Sequence, residues 1–305
     1  MTSPLVSQAA PFGRVLTAMV TPFTQDGELD LDAAQRVASY LVDAGNDGLV
    51  VSGTTGESPT TSIKENRRLL AAVLEAVGDR ATIVAGVGTN DTRHGIELAE
   101  QARKTGAHGL LIVSPYYSKP TQPGLQKHFL DITAAGGEVP VILYDIPGRT
   151  GVRIGRDTFD VVASDERIVA VKDAVGDFVA GAQVMADTGL VFYSGDDGLN
   201  LGWLAYGAAG MVSVVGHVAA RHYADMVAAV DAGDLVAARH IHHHVAPALS
   251  ALMDPPRQGA VTAKAALKLL GVLEHSTVRS PLVELTDDEV AELRAGLQAA
   301  DLIES

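Results

Sequence analysis

The sequence contains no cysteine among its 305 residues. This excludes disulfide bonds, thiolate nucleophiles and cysteine-ligated metal centres. Basic residues are also scarce: 23 Lys and Arg stand against 37 Asp and Glu, and the formal net charge is −14. Nucleic acid is therefore not expected as a partner, because its binding relies on clustered basic side chains. The charge of the whole chain does not decide the charge of one pocket, so small anionic substrates stay open.

Long apolar runs are missing as well. No stretch approaches the ~18 consecutive apolar residues that a membrane-spanning helix needs, so we expect no association with a membrane. The segment Met1 to Gln8 shows no basic residues followed by an apolar run, so we expect no secretory signal. The expected compartment is the cytoplasm.

Short apolar, β-branched segments alternate with amphipathic helical segments along most of the chain. Eight such strand–helix units can be counted. The predicted strands begin at Arg14, Gly48, Ala81, Gly109, Val139, Ile168, Leu190 and Gly210. Strands with little polar alternation are typical of a parallel sheet that is covered on both faces. The pattern predicts an α/β fold, a (β/α)8 TIM barrel.

A C-terminal region with three further helical segments follows the eighth unit. These segments are Leu235 to Leu252, Gly259 to Leu270 and Asp287 to Ala299. Proline-containing turns at Asp254-Pro255-Pro256 and Ser280-Pro281 separate them. We predict a barrel over residues 1–233 and a helical appendage over residues 234–305 that packs on the barrel.

The active site of a (β/α)8 barrel lies at the C-terminal ends of its strands. Lys172 ends the sixth predicted strand, within the apolar run from Ile168 to Val175. Lysine is rarely buried without a partner, so this position has two interpretations. The side chain either extends to solvent or holds a dry amine that attacks a carbonyl carbon. Desolvation or a cationic neighbour lowers a lysine pKa from about 10.4 and makes Schiff-base chemistry accessible.

Other strand ends carry polar groups that could serve the same site. The stretch Gly53-Thr54-Thr55-Gly56-Glu57 offers hydroxyls and free backbone N–H groups to a carboxylate; alternatively it is a polar turn with Glu57 in the first turn of the next helix. Tyr144 ends the strand beside that of Lys172, and its hydroxyl either reaches the amine or is satisfied within the core. Arg149 either pairs with a substrate carboxylate or is solvated.

Two further polar groups are better explained without catalysis. His240 and His244 share a helix face at i, i+4 spacing, but no third ligand is apparent, which favours an exposed face over a metal site. Asp196 and Asp197 could form a paired acid, and a cap for the next helix is favoured. We therefore expect no metal.

Taken together, the motifs resemble those of the pyruvate-dependent class I aldolases, and within them the dihydrodipicolinate synthase family of actinobacterial type. They are Gly53-Thr54-Thr55-Gly56-Glu57-Ser58, Pro115-Tyr116-Tyr117, Tyr144-Asp145-Ile146-Pro147-Gly148-Arg149-Thr150-Gly151 and Val171-Lys172-Asp173-Ala174. They occur in the family's order and spacing. The resemblance covers nearly the whole chain and is specific in combination.

The resemblance implies a Schiff-base condensation of pyruvate with L-aspartate-4-semialdehyde to 4-hydroxy-tetrahydrodipicolinate, the first committed step of diaminopimelate and lysine biosynthesis. Lys172 would form the imine with pyruvate, and Tyr144 would relay protons. Thr55 would hydrogen-bond to the hydroxyl of Tyr144. Tyr117, which reaches in from a neighbouring subunit, would complete this relay.

The resemblance also implies the residues that bind the substrates. Thr54 and Thr55 would bind the carboxylate of pyruvate, and Arg149 the carboxylate of aspartate-4-semialdehyde. Gly195 and Val212 would line the pocket near the enamine. No metal or organic cofactor is implied, because the covalent imine is itself the electron sink. The implied assembly is a homotetramer, a dimer of dimers.

Two other functions stay open at this point. Sialic acid lyases and ketodeoxygluconate-type aldolases resemble the chain in their threonine, tyrosine and lysine, but they usually lack an arginine at the position of Arg149. The enzymatic alternative is thus a pyruvate-releasing aldolase that acts on 2-keto-3-deoxy sugar acids or on sialic acids. The non-enzymatic alternative is a silent barrel, which would not need Lys172, Tyr144 and Arg149 together.

Two departures from the family pattern bear on activity and regulation. Asp145 stands where Asn is frequent, and we expect little effect from this difference. Lysine-inhibited relatives often carry His and Glu at positions that here are Ile63, Asn66 and His94. We therefore predict that lysine does not inhibit this protein.

Overall fold

A closed barrel of parallel strands forms the centre of the molecule. A computed structural model describes residues 10–304. The eight strands pair in sequence order, and the last also pairs with the first. They are β1 (Val15–Ala18), β2 (Gly48–Val51), β3 (Thr82–Gly86), β4 (Gly109–Val113), β5 (Val141–Asp145), β6 (Ile168–Asp173), β7 (Val191–Ser194) and β8 (Gly210–Ser213). The predicted (β/α)8 barrel is confirmed. The prediction about Met1 to Gln8 lies outside the described residues.

Helices cover the outside of the barrel and follow it at the C-terminal end. They are α1 (Leu31–Asp43), α2 (Ile63–Val77), α3 (Thr92–Thr105), α4 (Gln122–Ala135), α5 (Pro147–Thr150), α6 (Arg156–Val162), α7 (Phe178–Thr188), α8 (Asn200–Ala205), α9 (Gly216–Asp231), α10 (Leu235–Met253), α11 (Gly259–Leu269) and α12 (Asp287–Ala299). The sequence did not predict α5 or the 3₁₀ turns Ser58–Thr60 and Asp197–Leu199. Glu57 precedes the first of these turns, so its placement in the first turn of α2 is wrong.

Two strands are shorter than the apolar runs that contain them, because side chains accept hydrogen bonds from the backbone N–H groups that follow. The run that includes β1 continues to Val20, but the Val20 N–H donates to Nε2 of buried His217 at 3.1 Å. The run that includes β8 continues to Val215. The N–H groups of Val214 and Val215 donate instead to Oδ2 of Asp197, at 2.8 and 2.9 Å. Both strands therefore end near the same rim.

An apolar plug closes the N-terminal end of the barrel. Phe12, which precedes β1, is fully buried, and its ring lies 6.3 Å from that of Tyr193 on β7. The Tyr193 hydroxyl accepts a hydrogen bond from the Phe12 N–H at 3.3 Å. Gly48 begins β2 beside this plug, and a Cβ there would lie 2.8 Å from the Phe12 carbonyl oxygen. Because the N-terminal end of the barrel is filled by apolar side chains and backbone, we expect the polar groups of a site at the C-terminal ends of the strands.

The last three helices share an apolar core with the barrel. Buried side chains of β1, β8, α9, α10 and α12 form one cluster, which includes Val15, Met211, Tyr223, Leu252 and Leu293. Each such side chain contributes about 1.5–3 kcal/mol on burial. The predicted division between residues 233 and 234 stays a prediction.

Within residues 10–304 there is no helix that is both long and apolar enough to traverse a bilayer.

Candidate active site

The amine of Lys172 is held in a dry position at the end of β6. The residue is 5% exposed, and the strand register places it beside Tyr144 of β5. Its Nζ lies 4.2 Å from the centroid of the Tyr144 ring, within the range of a cation–π contact. The side chain therefore does not extend to bulk solvent.

Burial sets the protonation of this lysine. It lowers the pKa of Lys172 to about 8, with the negative charge of Asp197 opposing the shift and the positive charge of Arg149 adding to it. At pH 7 roughly a tenth of such amines are neutral, against about one in a few thousand for an ordinary lysine. The neutral form is the one that attacks a carbonyl carbon.

Tyr144 presents a protonated hydroxyl next to this amine. Burial raises the pKa of its phenol, although the positive charge of Arg149 acts in the opposite direction. The hydroxyl therefore stays a hydrogen-bond donor at neutral pH. Thr55 is buried in the loop after β2. Within the part of the chain that the structure describes, no hydrogen bond joins it to Tyr144, so this pairing stays a prediction.

A cavity of about 200 Å³ opens at the C-terminal ends of the strands. Its lining brings together three of the predicted site residues, namely Thr54, Tyr144 and Arg149. Lys172 is not on the cavity wall, but its Nζ contacts the ring of Tyr144, which is. The cavity therefore combines a hydroxyl, a phenol and a guanidinium, and the phenol contacts the buried amine.

Gly195 and Val212 lie close to the reacting groups but do not line this cavity. Gly195 follows β7, and a Cβ added to it would lie 2.9 Å from Cγ of Lys172. A glycine there lets the backbone pass directly beside the lysine stem. Val212 of β8 is 1% exposed and belongs to the same apolar cluster inside the barrel as Tyr144.

The loop that carries Thr54 and Thr55 is held by a hydrogen bond from the segment after β1. Oγ1 of Thr21, beyond β1, donates to the carbonyl oxygen of Gly56 at 2.6 Å. Glu57 has a positive φ of 55°, which is uncommon for a residue with a side chain. Thr54 is exposed at the cavity and Thr55 is buried, so the two adjacent hydroxyls lie in different surroundings.

Arg149 is positioned by the one-turn helix α5. Its N–H donates to the carbonyl oxygen of Ile146 at 2.9 Å. The end of the loop is held by Asp145, whose Oδ2 accepts from the N–H of Ile154 at 3.2 Å. The Arg149 side chain is exposed at the cavity, where an anionic group could pair with it.

Tyr117 points away from the rest of its own chain. It is 89% exposed, with a φ of 73°, and the Ser118 N–H donates across it to the Tyr116 carbonyl oxygen at 2.9 Å. This three-residue turn is rare and strained. A large ring that is held in solvent on a strained turn is typical of a residue that acts on another surface. Its role in a neighbouring subunit stays a prediction.

Sequence reasoning missed two buried carboxylates beneath the site. Asp145 and Asp173 face each other across β5 and β6. Burial raises the pKa of Asp145 to about 7, and it also raises the pKa of Asp173. Oδ1 of Asp145 is buried without a hydrogen-bond partner. The available signal was a carboxylate directly after each of two predicted strand ends, and only Asp145 was discussed, as a departure from the family pattern.

Asp196 and Asp197 differ in their surroundings. Oδ1 of Asp196 accepts from the Gly198 N–H at 2.9 Å, so this residue caps the following turn as predicted. Asp197 is buried and instead accepts from the side chains of Ser213 and Asn200, at 2.5 and 3.0 Å, and from two N–H groups beyond β8. The cap prediction is thus wrong for Asp197. Its charge favours the protonated form of Lys172.

The histidines of α10 lie away from this site. His240 is exposed, while the His244 ring lies 5.2 Å from that of His222 on α9. Between residues 10 and 304, no group of three or more His, Asp or Glu is arranged to hold a metal ion.

Comparison with known proteins bears out the resemblance. The sequence profile of the dihydrodipicolinate synthetase family matches residues 11–300. A 4-hydroxy-tetrahydrodipicolinate synthase of Kineococcus radiotolerans is 60% identical over 292 residues, which cover 96% of this chain and 94% of that protein. One from Acidothermus cellulolyticus is 58% identical over 295 residues, covering 97% and 94%. The lysine-bound crystal structure of DHDPS from Cyanidioschyzon merolae has a TM-score of 0.92 at 38% identity, covering 96% of this chain and 99% of that chain.

Proposed function

The chain belongs to the dihydrodipicolinate synthetase family, and we propose that it condenses pyruvate with L-aspartate-4-semialdehyde to 4-hydroxy-tetrahydrodipicolinate. This is the first committed step of diaminopimelate and lysine biosynthesis. The observation that carries the proposal is the buried amine of Lys172, which lies 4.2 Å from the centroid of the Tyr144 ring. The names of the relatives support the choice of substrates.

The first stage is formation of the imine. The neutral amine of Lys172 adds to the ketone carbon of pyruvate, and the ketone oxygen leaves as water after it has gained two protons. Tyr144 is the group that passes these protons, since its phenol is protonated and adjacent. Thr54 and Thr55 bind the carboxylate of pyruvate through hydroxyl and backbone donors.

The second stage joins the two substrates. The iminium draws electrons from the pyruvate methyl group, which loses a proton and becomes an enamine. The enamine carbon attacks the aldehyde carbon, and the aldehyde oxygen takes up a proton to become the hydroxyl of the product. The amine of the semialdehyde then attacks the imine carbon and displaces the amine of Lys172. One water is released overall, and no metal or organic cofactor takes part.

Arg149 supplies the selectivity for the second substrate. Its guanidinium lines the cavity and can pair with a carboxylate in bidentate geometry. Its positive charge also lowers the pKa of Lys172. A sugar acid offers hydroxyls in place of this second carboxylate, so Arg149 favours the semialdehyde.

The proposal includes a homotetramer, a dimer of dimers, in the cytoplasm. The exposed ring of Tyr117 supports an assembly in which this residue completes the proton relay of a neighbouring subunit. Sedimentation and cell fractionation test these two statements.

Borohydride reduction in the presence of pyruvate tests the chemistry. We expect a reduced pyruvate adduct on Lys172 in the native chain and none in Lys172→Met. Lys268→Met, which alters an exposed lysine of α11, is the matched control and should be trapped normally. A native chain that gains no mass contradicts the proposal.

A substrate panel then tests the acceptor. Turnover of aspartate-4-semialdehyde supports the proposal. If the trapped enzyme instead cleaves a 2-keto-3-deoxy sugar acid or a sialic acid and ignores the semialdehyde, the proposed substrate is wrong.

A further inference from the structure

A buried ion pair connects the C-terminal region to the loop after β2. Nζ of Lys264, in the middle of α11, contacts Oε1 of Glu57, and both side chains are 1% exposed. The same Nζ donates to the Thr277 carbonyl oxygen at 2.8 Å and lies 4.2 Å from the centroid of the Phe23 ring. Glu57 is two residues beyond Thr55, so this contact fixes the end of their loop.

Arg279 adds a second cation to the same loop. Its backbone N–H donates to Oε2 of Glu57 at 2.9 Å, so both carboxylate oxygens of Glu57 are held from the C-terminal region. Its guanidinium donates to the Thr60 carbonyl oxygen at 2.9 Å, to Oε1 of Glu65 at 2.6 Å and to the Gly27 carbonyl oxygen at 2.9 Å. Three separate segments are thereby joined at one residue.

This arrangement is costly as a means of stabilising the fold. Two charges that are removed from water lose hydration, and apolar side chains of similar volume often stabilise a core equally well. What the pair provides is a fixed geometry, because a buried carboxylate with two charged or polar partners has one favourable position. Glu57 also has the left-handed backbone conformation, with its N–H donating to the Thr54 carbonyl oxygen at 3.1 Å. Movement of Glu57 would therefore displace Thr54.

We propose that Lys264 and Arg279 are positioning residues for the loop of Thr54 and Thr55, so that the C-terminal region determines how tightly the keto-acid carboxylate is bound. This inference rests on the proposed function, in which that loop binds pyruvate. Neither residue touches the cavity. Lys264 acts through Glu57, and the guanidinium of Arg279 acts through Thr60 and Glu65, which follow Glu57 in the chain.

Steady-state kinetics of Lys264→Met tests the inference. We expect KM for pyruvate to rise about tenfold, because small displacements of binding groups weaken the interactions they make. KM for the semialdehyde should change less than twofold, since Arg149 is held by α5 and Asp145 instead. A purely structural defect lowers the folded fraction and thus the maximal rate, but it leaves the KM of the folded enzyme unchanged.

Arg279→Met is the second variant, used alongside the first and decisive where Lys264→Met does not fold. It should raise KM for pyruvate in the same direction, because it removes the guanidinium contacts that join the end of the loop at Thr60 to α2 and to Gly27. The matched controls are Lys268→Met on the exposed side of α11 and Arg257→Met, which breaks the Arg257–Glu292 ion pair at 2.5 Å elsewhere in the C-terminal region. Both controls should keep the native KM.

The outcomes separate this inference from the proposed function. If the native chain is trapped by borohydride but the variants keep its KM for pyruvate, the positioning role is overturned while the function stands. An equal rise in both KM values also overturns it, since the effect is then not confined to one loop. A native chain that cannot be trapped overturns the function and this inference together.

Discussion

Lys172 is shielded from water because it ends a buried strand and the backbone of the next strand passes close to its side chain. Ala170 and Val171, which precede it on β6, are fully buried, and Gly195 beyond β7 lies beside its stem. The cost of charging the amine there lowers its pKa to about 8. The reactivity of this residue therefore depends on the packing around it more than on any single partner.

The rate of pyruvate trapping should follow the ionisation of Lys172. Only the neutral amine attacks, so we expect the second-order rate of imine formation to rise with pH and level off above about 8. Arg149→Met should move the midpoint to higher pH, because the arginine charge helps to lower this pKa. Borohydride trapping across pH 6–10 is the measurement, with roughly unit steps. A rate that still climbs steeply at the alkaline end contradicts the burial argument.

Asp145 should make stability depend on pH. Folding raises its pKa from 3.8 to about 7, so the unfolded chain ionises first as the pH rises. Stability associated with this group is thus full below about pH 4 and is lost as the pH rises towards 7. Asp145→Asn should be more stable than the native chain at pH 8, by on the order of 2–4 kcal/mol, and similar at pH 4.

Urea unfolding at the two pH values measures this difference. Asp79→Asn, on the exposed turn after α2, is the control and should unfold like the native chain. Pyruvate trapping by Asp145→Asn should proceed at nearly the native rate, in keeping with the small effect expected from the sequence. Equal stabilities of Asp145→Asn and the native chain at pH 8 would show that the carboxylate is solvated.

Lysine should leave activity nearly unchanged at millimolar concentration. Asn66 is buried, and its Oδ1 already accepts hydrogen bonds from Ser52 at 3.0 Å and from Thr61 at 2.7 Å. Ile63 offers no polar atom, and the Nδ1 atom of His94 lies 3.9 Å from Glu97. These side chains are poorly placed to bind an amino acid. A steady-state assay with added lysine decides the matter, and strong inhibition would refute the prediction.

At the level of elements, the sequence predicted all eight strands and the long helices to within a few residues. Strands that are buried on both faces appear as short continuous apolar runs, and the helices between them show the helical period of apolar residues. The one-turn helix α5 was missed, since four residues have no periodicity of their own. β1 and β8 end before their apolar runs do, because His217 and Asp197 bind the next backbone groups.

The prediction of the site was also incomplete where it depends on contacts between residues that are distant in the sequence. Lys172, Tyr144 and Arg149 could be placed together because each lies at, or shortly after, the C-terminal end of a barrel strand. The pair of Glu57 with Lys264 could not, since the two residues are 207 positions apart and a lysine in a helix usually faces solvent. Nothing local in the sequence distinguishes Lys264 from the exposed Lys268.

The start of β2 should tolerate no side chain larger than hydrogen. In Gly48→Ala the new Cβ would lie 2.8 Å from the Phe12 carbonyl oxygen and 2.9 Å from Cγ of Leu16. We expect a loss of about 1–3 kcal/mol in the free energy of unfolding, measured in urea. Gly148→Ala is the control, because its Cβ meets nothing within 4 Å. Native-like stability of Gly48→Ala would mean that the plug shifts freely.

For the whole molecule, the exposed ring of Tyr117 predicts that sites are shared between subunits. Tyr117→Phe and Lys172→Met should each be nearly inactive alone. Co-expressed in one assembly, they should recover about a quarter of native activity, because half of random dimers are mixed and each mixed dimer holds one intact site. Assays of the co-expressed population, before the mixed oligomers are separated, measure this. No recovery in verified mixed oligomers would show that Tyr117 serves no neighbouring site.

The plug of Phe12 against Tyr193 has a consequence for the order of events during turnover. Because that end of the barrel is packed, substrates would approach Lys172 from the opposite rim, where the cavity lined by Arg149 opens. Under the proposed chemistry, the water expelled by pyruvate must depart before the bulkier aldehyde settles over the enamine. Turnover is then ordered: pyruvate binds first, and the cyclic product must dissociate from the cavity before the next pyruvate binds.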